Sequence, residues 1–206
     1  RNYRVVYKPG TLTVKEFAGT IEATTVGGEY TYDGEAHGAT VNVSELPAGY
    51  TLVTASSNAS ATDVTDEPVV ATVDTLRIIN EAGVDVTSRL HIVKNEEGRI
   101  VVKPATVKVE TPSASRVYNG EPLTAAGKMT GLVNNETAAF ATTGTATEVN
   151  APDGTPNTYR IDWTGTAKQS NYTVVESIGT LTVTEYAGSV VVTTVGGEFL
   201  YNGDLH

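Results

Sequence analysis

The chain of 206 residues contains no cysteine, which excludes a disulfide framework, a thiolate metal site and a cysteine nucleophile. Helix formers other than alanine are scarce: it has 10 leucines, 1 methionine and 1 glutamine. That composition argues against a helical bundle or an alternating α/β fold. Basic residues are few, 14 against 24 acidic ones, for a formal charge of −10. A nucleic-acid partner needs clustered Lys and Arg, so none is expected. No run of 18 apolar residues occurs, so no membrane insertion is expected either. The opening residues, Arg1-Asn2-Tyr3-Arg4-Val5-Val6-Tyr7, lack the apolar core of a signal peptide. The expectation is a fragment whose targeting and anchoring segments lie elsewhere in a longer parent.

What is abundant is threonine (33) and valine (28), 61 residues together. β-Branched side chains are stiff at χ1 and pack well on a pleated surface, which predicts an all-β protein. Internal repetition organises the chain. Residues 1–37 laid over 170–206 give 21 identities in 37 positions without a gap, a period of 169 residues. A weaker half-period lies within it: Tyr32-Asp33-Gly34 returns as Tyr118-Asn119-Gly120 and as Tyr201-Asn202-Gly203. Leu90-His91-Ile92-Val93 and Gly98-Arg99-Ile100-Val101-Val102 stand where Tyr172-Thr173-Val174-Val175 and Gly179-Thr180-Leu181-Thr182-Val183 stand later. The unit is therefore a module of roughly 85 residues. Residues 1–18 read as the final hairpin of a preceding module, 19–103 and 104–187 as two whole modules of different type, and 188–206 as the opening of a following one.

Alternation of side chains along strands assigns the core face. In the second module it points Trp163, Tyr159, Ile161, Tyr172, Val174, Leu181 and Val183 inward. In the first it selects Leu76, Ile78, Leu90, Ile92, Ile100 and Val102, and in the opening segment Tyr3 and Val5. Asp33-Gly34, Asn119-Gly120, Asp153-Gly154 and Gly27-Gly28 are turn signals, since these residues tolerate positive φ. Short strands between turns, in modules of this size, predict immunoglobulin-like β-sandwiches in tandem. The short connector Val102-Lys103-Pro104-Ala105-Thr106 makes an elongated, stiff array of strands about 10 residues long the expected form.

Candidate chemistry is thin. His37 and His206 are one repeat position seen twice, and His91 alternates with Leu90 and Ile92 onto a solvent face, so no histidine has a catalytic partner in view. Acidic residues gather at Asp63, Asp66 and Glu67 and at Glu96 and Glu97. They lack the calcium-loop spacing, leaving a calcium ion at a module junction as the one cofactor to consider. Gly27-Gly28 and Gly196-Gly197 precede no helix and so form no phosphate cradle. Neither a Gly-x-Ser-x-Gly elbow nor a His-Glu-x-x-His helix occurs, and no catalytic, cofactor-binding or metal residue is assigned. Tyr7, Tyr50, Tyr186 and Phe17 remain as aromatic candidates, with Phe17 and Tyr186 at equivalent module boundaries, where they read as junction packing in preference to ligand contact.

The order Tyr-Asp/Asn-Gly, then Asn157-Thr158-Tyr159, then Asn171-Tyr172-Thr173-Val174-Val175 and Gly179-Thr180-Leu181-Thr182-Val183 resembles the MBG, or YDG, repeats of bacterial surface proteins. The second module fits that pattern best; in the first, Arg89-Leu90 replaces Asn-Tyr and the stretch Ser56–Asp66 diverges. The resemblance implies immunoglobulin-like modules strung along a large exported adhesin, extracellular and anchored at the cell surface. It also raises a Lys–Asn isopeptide cross-link, for which Lys103, Lys108 and Lys168 are the lysines near core strands. The leading expectation is a non-enzymatic stalk segment that holds a distal binding domain away from the cell, its partners being the neighbouring repeats. The rival is a binding module for a host glycan or protein, or a self-assembling one, motivated by the acidic insert Ala55–Pro68. Chain-to-chain strand pairing through the segments 1–18 and 188–206 is a further expected association.

Overall fold

Alternation at Ile21, Ala23 and Thr25 is the kind of pattern that buries one face of a strand, and the computed structural model places all three inside, at 0, 0 and 3% exposure. The structure describes residues 2–13, 17–198, 200–201 and 203. The first repeat forms β1 (Thr20–Val26), β2 (Gly28–Thr31), β3 (His37–Gly38), β4 (Thr40–Val43), β5 (Tyr50–Ser56), β6 (Ser60–Ala61), β7 (Val69–Val70), β8 (Thr75–Asn80), β9 (His91–Asn95) and β10 (Arg99–Lys103). The second forms β11 (Ala105–Thr111), β12 (Ala114–Val117), β13 (Lys128–Thr130), β14 (Ala139–Thr142), β15 (Thr155–Pro156), β16 (Tyr159–Asp162), β17 (Tyr172–Ile178) and β18 (Thr180–Thr184). The protein is all-β. Two 3-10 turns, Thr87–Arg89 and Gln169–Asn171, are the helical elements among the described residues, and none is long and apolar enough to cross a membrane.

One pairing scheme occurs twice. In the first repeat the sheets run β4-β1-β9, β2-β10-β7 and β5-β8; in the second they run β13-β11-β17, β12-β18-β15 and β14-β16. The two-stranded β3-β6 has its counterpart in the bridge Leu123–Ala146. β1 pairs parallel with β9, Ile21 opposite Ile92, and β2 pairs parallel with β10, Val102 opposite Tyr30.

Two expectations about chain path are corrected here. The segments 90–102 and 172–183, which occupy the repeat position of the segment 1–18 read as a hairpin, are not hairpins: β9 and β10 belong to different sheets, as do β17 and β18. Gly27-Gly28 is likewise a bend between β1 and β2 and not a reversal. The reason is steric. A Cβ on Gly27 would lie 2.0 Å from the Arg99 carbonyl oxygen, and one on Gly98 would lie 2.9 Å from Thr25, so two parallel strands cross side by side from one sheet into the next at a point only glycine fits. Gly179 does the same against Pro112, 2.2 Å from its carbonyl carbon. The turns at Gly34, Gly120 and Gly154 do use positive φ, 82°, 82° and 73°. Strands run 2 to 7 residues, shorter than expected, because these bends divide them.

The chain divides into two compact units, one comprising 1–108, 130–139 and 162–175, the other 109–129, 140–161 and 176–206. In the first unit, Ile21, Ile78 and Val86 form a buried cluster against which Val43, Leu46, Tyr50, Leu90 and Ile92 pack. In the second, Leu123, Ala146, Leu181 and Val183 do so with Ala114 and Ala125. Ile78, Ile100, Val102, Tyr172, Leu181 and Val183 are buried as expected, whereas Leu76, Leu90, Ile92, Tyr159, Ile161, Trp163 and Val174 are half-buried. The described residues of 2–13 and 188–198 form no strand, and Tyr3 and Val5, expected on a core face, are 94 and 70% exposed.

Candidate functional site

Aspartate and asparagine fold back on their own backbone, and the Tyr-Asp/Asn-Gly triplets do this in both repeats. Asp33 Oδ1 accepts the Glu35 N–H at 2.9 Å, and Asn119 Oδ1 accepts that of Glu121 at 3.0 Å. The preceding tyrosine is tied to the last strand of its repeat: the Tyr32 N–H donates to the Lys103 carbonyl and the Tyr118 N–H to that of Thr184, both at 2.8 Å. The corner is thus set by local chemistry plus one strand contact.

Around Tyr32 the first unit builds a connected set of polar side chains, in which Tyr32, Tyr172 and Asn171 are buried, Glu136 is half-buried, and Asp63, Lys168 and Asn134 are exposed. Glu136 accepts two tyrosine hydroxyls at 2.5 Å, Tyr32 on Oε1 and Tyr172 on Oε2. The two rings meet edge-on with centroids 5.5 Å apart, Trp163 stacks on Tyr172 at 5.8 Å, and the Val133 N–H donates to the Tyr172 oxygen at 3.2 Å. Burial, reinforced by the Glu136 carboxylate, pushes the Tyr172 hydroxyl up to about 12 and raises that of Tyr32. Beside it, the wholly buried Asn171 accepts the Val64 N–H at 3.0 Å and donates to Asp63 Oδ1 at 2.8 Å, while Lys168 Nζ sits 2.6 Å from Asp63 Oδ2. The Lys168 ammonium, with the Asn171 amide, holds the Asp63 carboxyl below the usual carboxylate range. Asn134 Nδ2 closes the corner by donating to the Gly34 carbonyl at 3.3 Å.

Chemically this is a closed network: its hydroxyl, amide and ammonium donors end on carboxylate or backbone acceptors. Such a network fixes position. Sequence reasoning selected Tyr172 for packing and marked Tyr32 as a repeated position, but not Glu136, Asn134 or the Asp63–Lys168 pair. The signal for Asn171 lay in the repeat, since Asn2-Tyr3 restates Asn171-Tyr172. For Glu136 the chain held no signal.

The other candidates are scattered. His37 stacks on Tyr30 at 4.0 Å with Nε2 3.1 Å from Asp33 Oδ1; His91 is exposed, with Nδ1 3.4 Å from the Thr20 hydroxyl; His206 lies outside the described residues. Glu96 Oε1 accepts the Val73 N–H, and Asp66 and Glu67 point to solvent. Among the described residues, no group of three or more His, Asp or Glu is placed to hold a metal ion. Tyr7 and Tyr186 are 88 and 66% exposed, Phe17 sits over Gly19 as Tyr186 sits over Gly188, and Tyr50 packs on the first unit's core. The insert Ala55–Pro68 is not a free loop, because β6, Asp63, Val64 and Thr65 are all engaged in packing.

The isopeptide candidates are also placed. Lys103 pairs with Glu29 Oε2 at 2.6 Å and Lys168 with Asp63, with side chains 58 and 63% exposed, and Lys108 is exposed. None is the buried amine that attack on an amide requires. An open depression of about 340 Å³ lies in the second unit among Glu110, Thr111, Pro112, Ala126, Gly127 and Lys128, with Lys128 and Glu110 paired at 2.7 Å.

Compared with protein families, characterised proteins and solved structures, the chain matches none.

Proposed function

We propose that the chain is a spacer segment of an exported bacterial surface protein, two immunoglobulin-like modules of the MBG type that separate a distal binding domain from the cell and carry out no chemistry themselves. The observation behind this reading is the pairing scheme. Two stretches of different sequence adopt the same order of strand contacts, and the strand pairs of each stay within it. A chain built by repeating such a bead gains length with each copy, which is what a stalk needs. Residues 172–184, from β17 to β18, would reach ~43 Å at ~3.3 Å per residue if straight, which sets the scale of the length added per module.

The rival binding reading drew on the acidic insert Ala55–Pro68, in which Asp63, Val64 and Thr65 are hydrogen-bonded to the scaffold while Asp66 and Glu67 stay exposed. Because residues 188–206 restate 19–37, appending 38–187 after His206 completes one more pair of modules. Solution scattering of the two chains tests the stalk. A maximum dimension that grows by a constant increment per added pair supports it; a dimension that barely changes, as in a collapsing globule, rejects it. Reproducible capture on a glycan array by the unmodified chain, abolished by Glu67→Lys, would favour the binding reading instead.

A further inference from the structure

The Tyr-Asx-Gly corner exists twice with one backbone geometry, yet its surroundings differ. In both repeats the strand that ends beside the corner is met by the same pair of bonds. The Thr65 N–H donates to the Val102 carbonyl while the Val102 N–H donates to Thr65 Oγ1, both at 3.1 Å. The Asn150 N–H donates to the Val183 carbonyl at 3.0 Å while the Val183 N–H donates to Asn150 Oδ1 at 2.7 Å. Thr65 and Asn150 are therefore equivalent, and so are Asp63 and Glu148, and Val64 and Val149. Around the first corner, Tyr32 is 4% exposed and Asp63 is paired; around the second, Tyr118 is 39% and Val149 41% exposed, and Glu148 faces solvent.

What covers the first corner is the start of β17 and the 3-10 turn before it: Asn171 on Asp63, Tyr172 on Tyr32. The first repeat has the same local structure, a 3-10 turn at Thr87–Arg89 leading into β9, with exposed Arg89 in the place of Asn171 and Leu90 in that of Tyr172. Transposed to the second corner, Arg89 would stand at Glu148 and Leu90 at Tyr118. The charge is complementary, a guanidinium against a carboxylate, where the first corner has an amide. Residues 188–206, which restate 19–37, open a repeat of this first type directly after the second corner's own strand.

We propose that Tyr118, Glu148 and Val149 form a docking corner for a repeat of the first type that follows in the same chain, met through that repeat's Arg89 and Leu90. The two module types then alternate because each corner is matched to the other type's turn. The proposal rests on the array reading and sharpens it, and the test separates the two.

The probe is the full chain extended after His206 by residues 38–103, which completes a first-type repeat. Amide hydrogen exchange at 118–121 and 147–150 should slow at least tenfold on extension. Glu148→Arg should abolish the slowing, and Glu148→Arg combined with Arg89→Glu in the appended copy should restore it; neither Glu148→Arg nor Tyr118→Ala should alter exchange elsewhere in the unextended chain. Protection of the appended copy of β9 verifies that the added repeat has folded; extension by 38–187 replaces it if it has not. Unchanged exchange at the corner beside a folded added repeat, or slowing that ignores the charge reversal, overturns the proposal, and it does so without touching the stalk reading if scattering still shows lengthening. Slowing produced by raising the concentration of the unextended chain assigns the corner to a second copy and overturns it equally.

Discussion

Removing the Glu136 carboxylate, half-buried between two tyrosine hydroxyls, should destabilise the first unit. Glu136→Ala leaves the hydroxyls of Tyr32 and Tyr172, in residues 4 and 7% exposed, without their acceptor. An orphaned buried donor costs about 1–3 kcal/mol, so two give about 2–6 kcal/mol. Tyr172 keeps the Val133 N–H as a donor to its oxygen, which does nothing for its own proton. Urea unfolding followed by Trp163 fluorescence is the natural assay, because Trp163 is the chain's one tryptophan and stacks on Tyr172. Glu136→Gln, which keeps one carbonyl acceptor, should lose about half as much. Tyr32→Phe should cost about 1.5–3 kcal/mol in the native background, the worth of a hydrogen bond to a charged group. It should cost far less beside Glu136→Ala, where the hydroxyl is already unpaired. A loss under about 0.5 kcal/mol for Glu136→Ala, or costs of Tyr32→Phe that agree between backgrounds within about 0.5 kcal/mol, would refute the network as a source of stability.

Acid should loosen the same region. The Asp63 carboxyl is held low in the folded state by Lys168 and Asn171, so its contribution is present above the usual aspartate range and is lost as pH falls through the lowered value. Lys168→Met should therefore flatten the acid limb of the stability curve below about pH 4, and an unchanged limb counts against the pair. Alkali acts in the opposite sense. Tyr172, by burial and Glu136, and Tyr159, by Glu176 at 2.5 Å, are raised to about 12, so folding favours their protonated forms. That stability is whole below about pH 10 and is lost as pH climbs to 12, which tyrosine absorbance titration should reveal as hydroxyls ionising late. Finally, Gly27→Val should unfold the first unit because its Cβ would strike the Arg99 carbonyl oxygen, whereas Gly196→Val, at the same repeat position with nothing within 4 Å, should leave the midpoint unchanged. Equal effects from the two would sink the steric account of the bend.

Much of the fold was legible from particular residues. Period-two alternation located the buried face at Ile100 and Val102 and at Leu181 and Val183, because a core on one side of a pleat leaves that trace directly. The Tyr-Asx-Gly corners were legible because Asx side chains and glycine encode a turn locally. Gly27-Gly28 misled for an instructive reason. Glycine signals both a reversal and a close backbone approach, and only the neighbour, Arg99, tells which applies. Trp163, placed in the core by its alternation, proved half-buried because its ring serves as a lid on Tyr172 and not as an anchor between sheets. Of the candidate site, the tyrosines were visible through repetition, but Glu136 lies 104 residues from Tyr32 and nothing local marks it.

The amino-acid sequence by itself determined that the protein is β, that it repeats, and where each strand's apolar face lies, since these depend on χ1 stiffness and alternation within a few residues. Tertiary structure alone decided which of those segments become strands. Thr24-Thr25-Val26-Gly27-Gly28-Glu29 and Thr193-Thr194-Val195-Gly196-Gly197-Glu198 are identical, yet the first joins β1 to β2 with Thr25 buried, and the second forms no strand, with the equivalent Thr194 exposed. A strand's backbone bonds and its buried face both belong to a partner. Where β4, β9 and β10 supply one, the hexapeptide is ordered into a sheet; its twin, which has no such neighbour among the described residues, keeps the same propensity with nothing to bury it against.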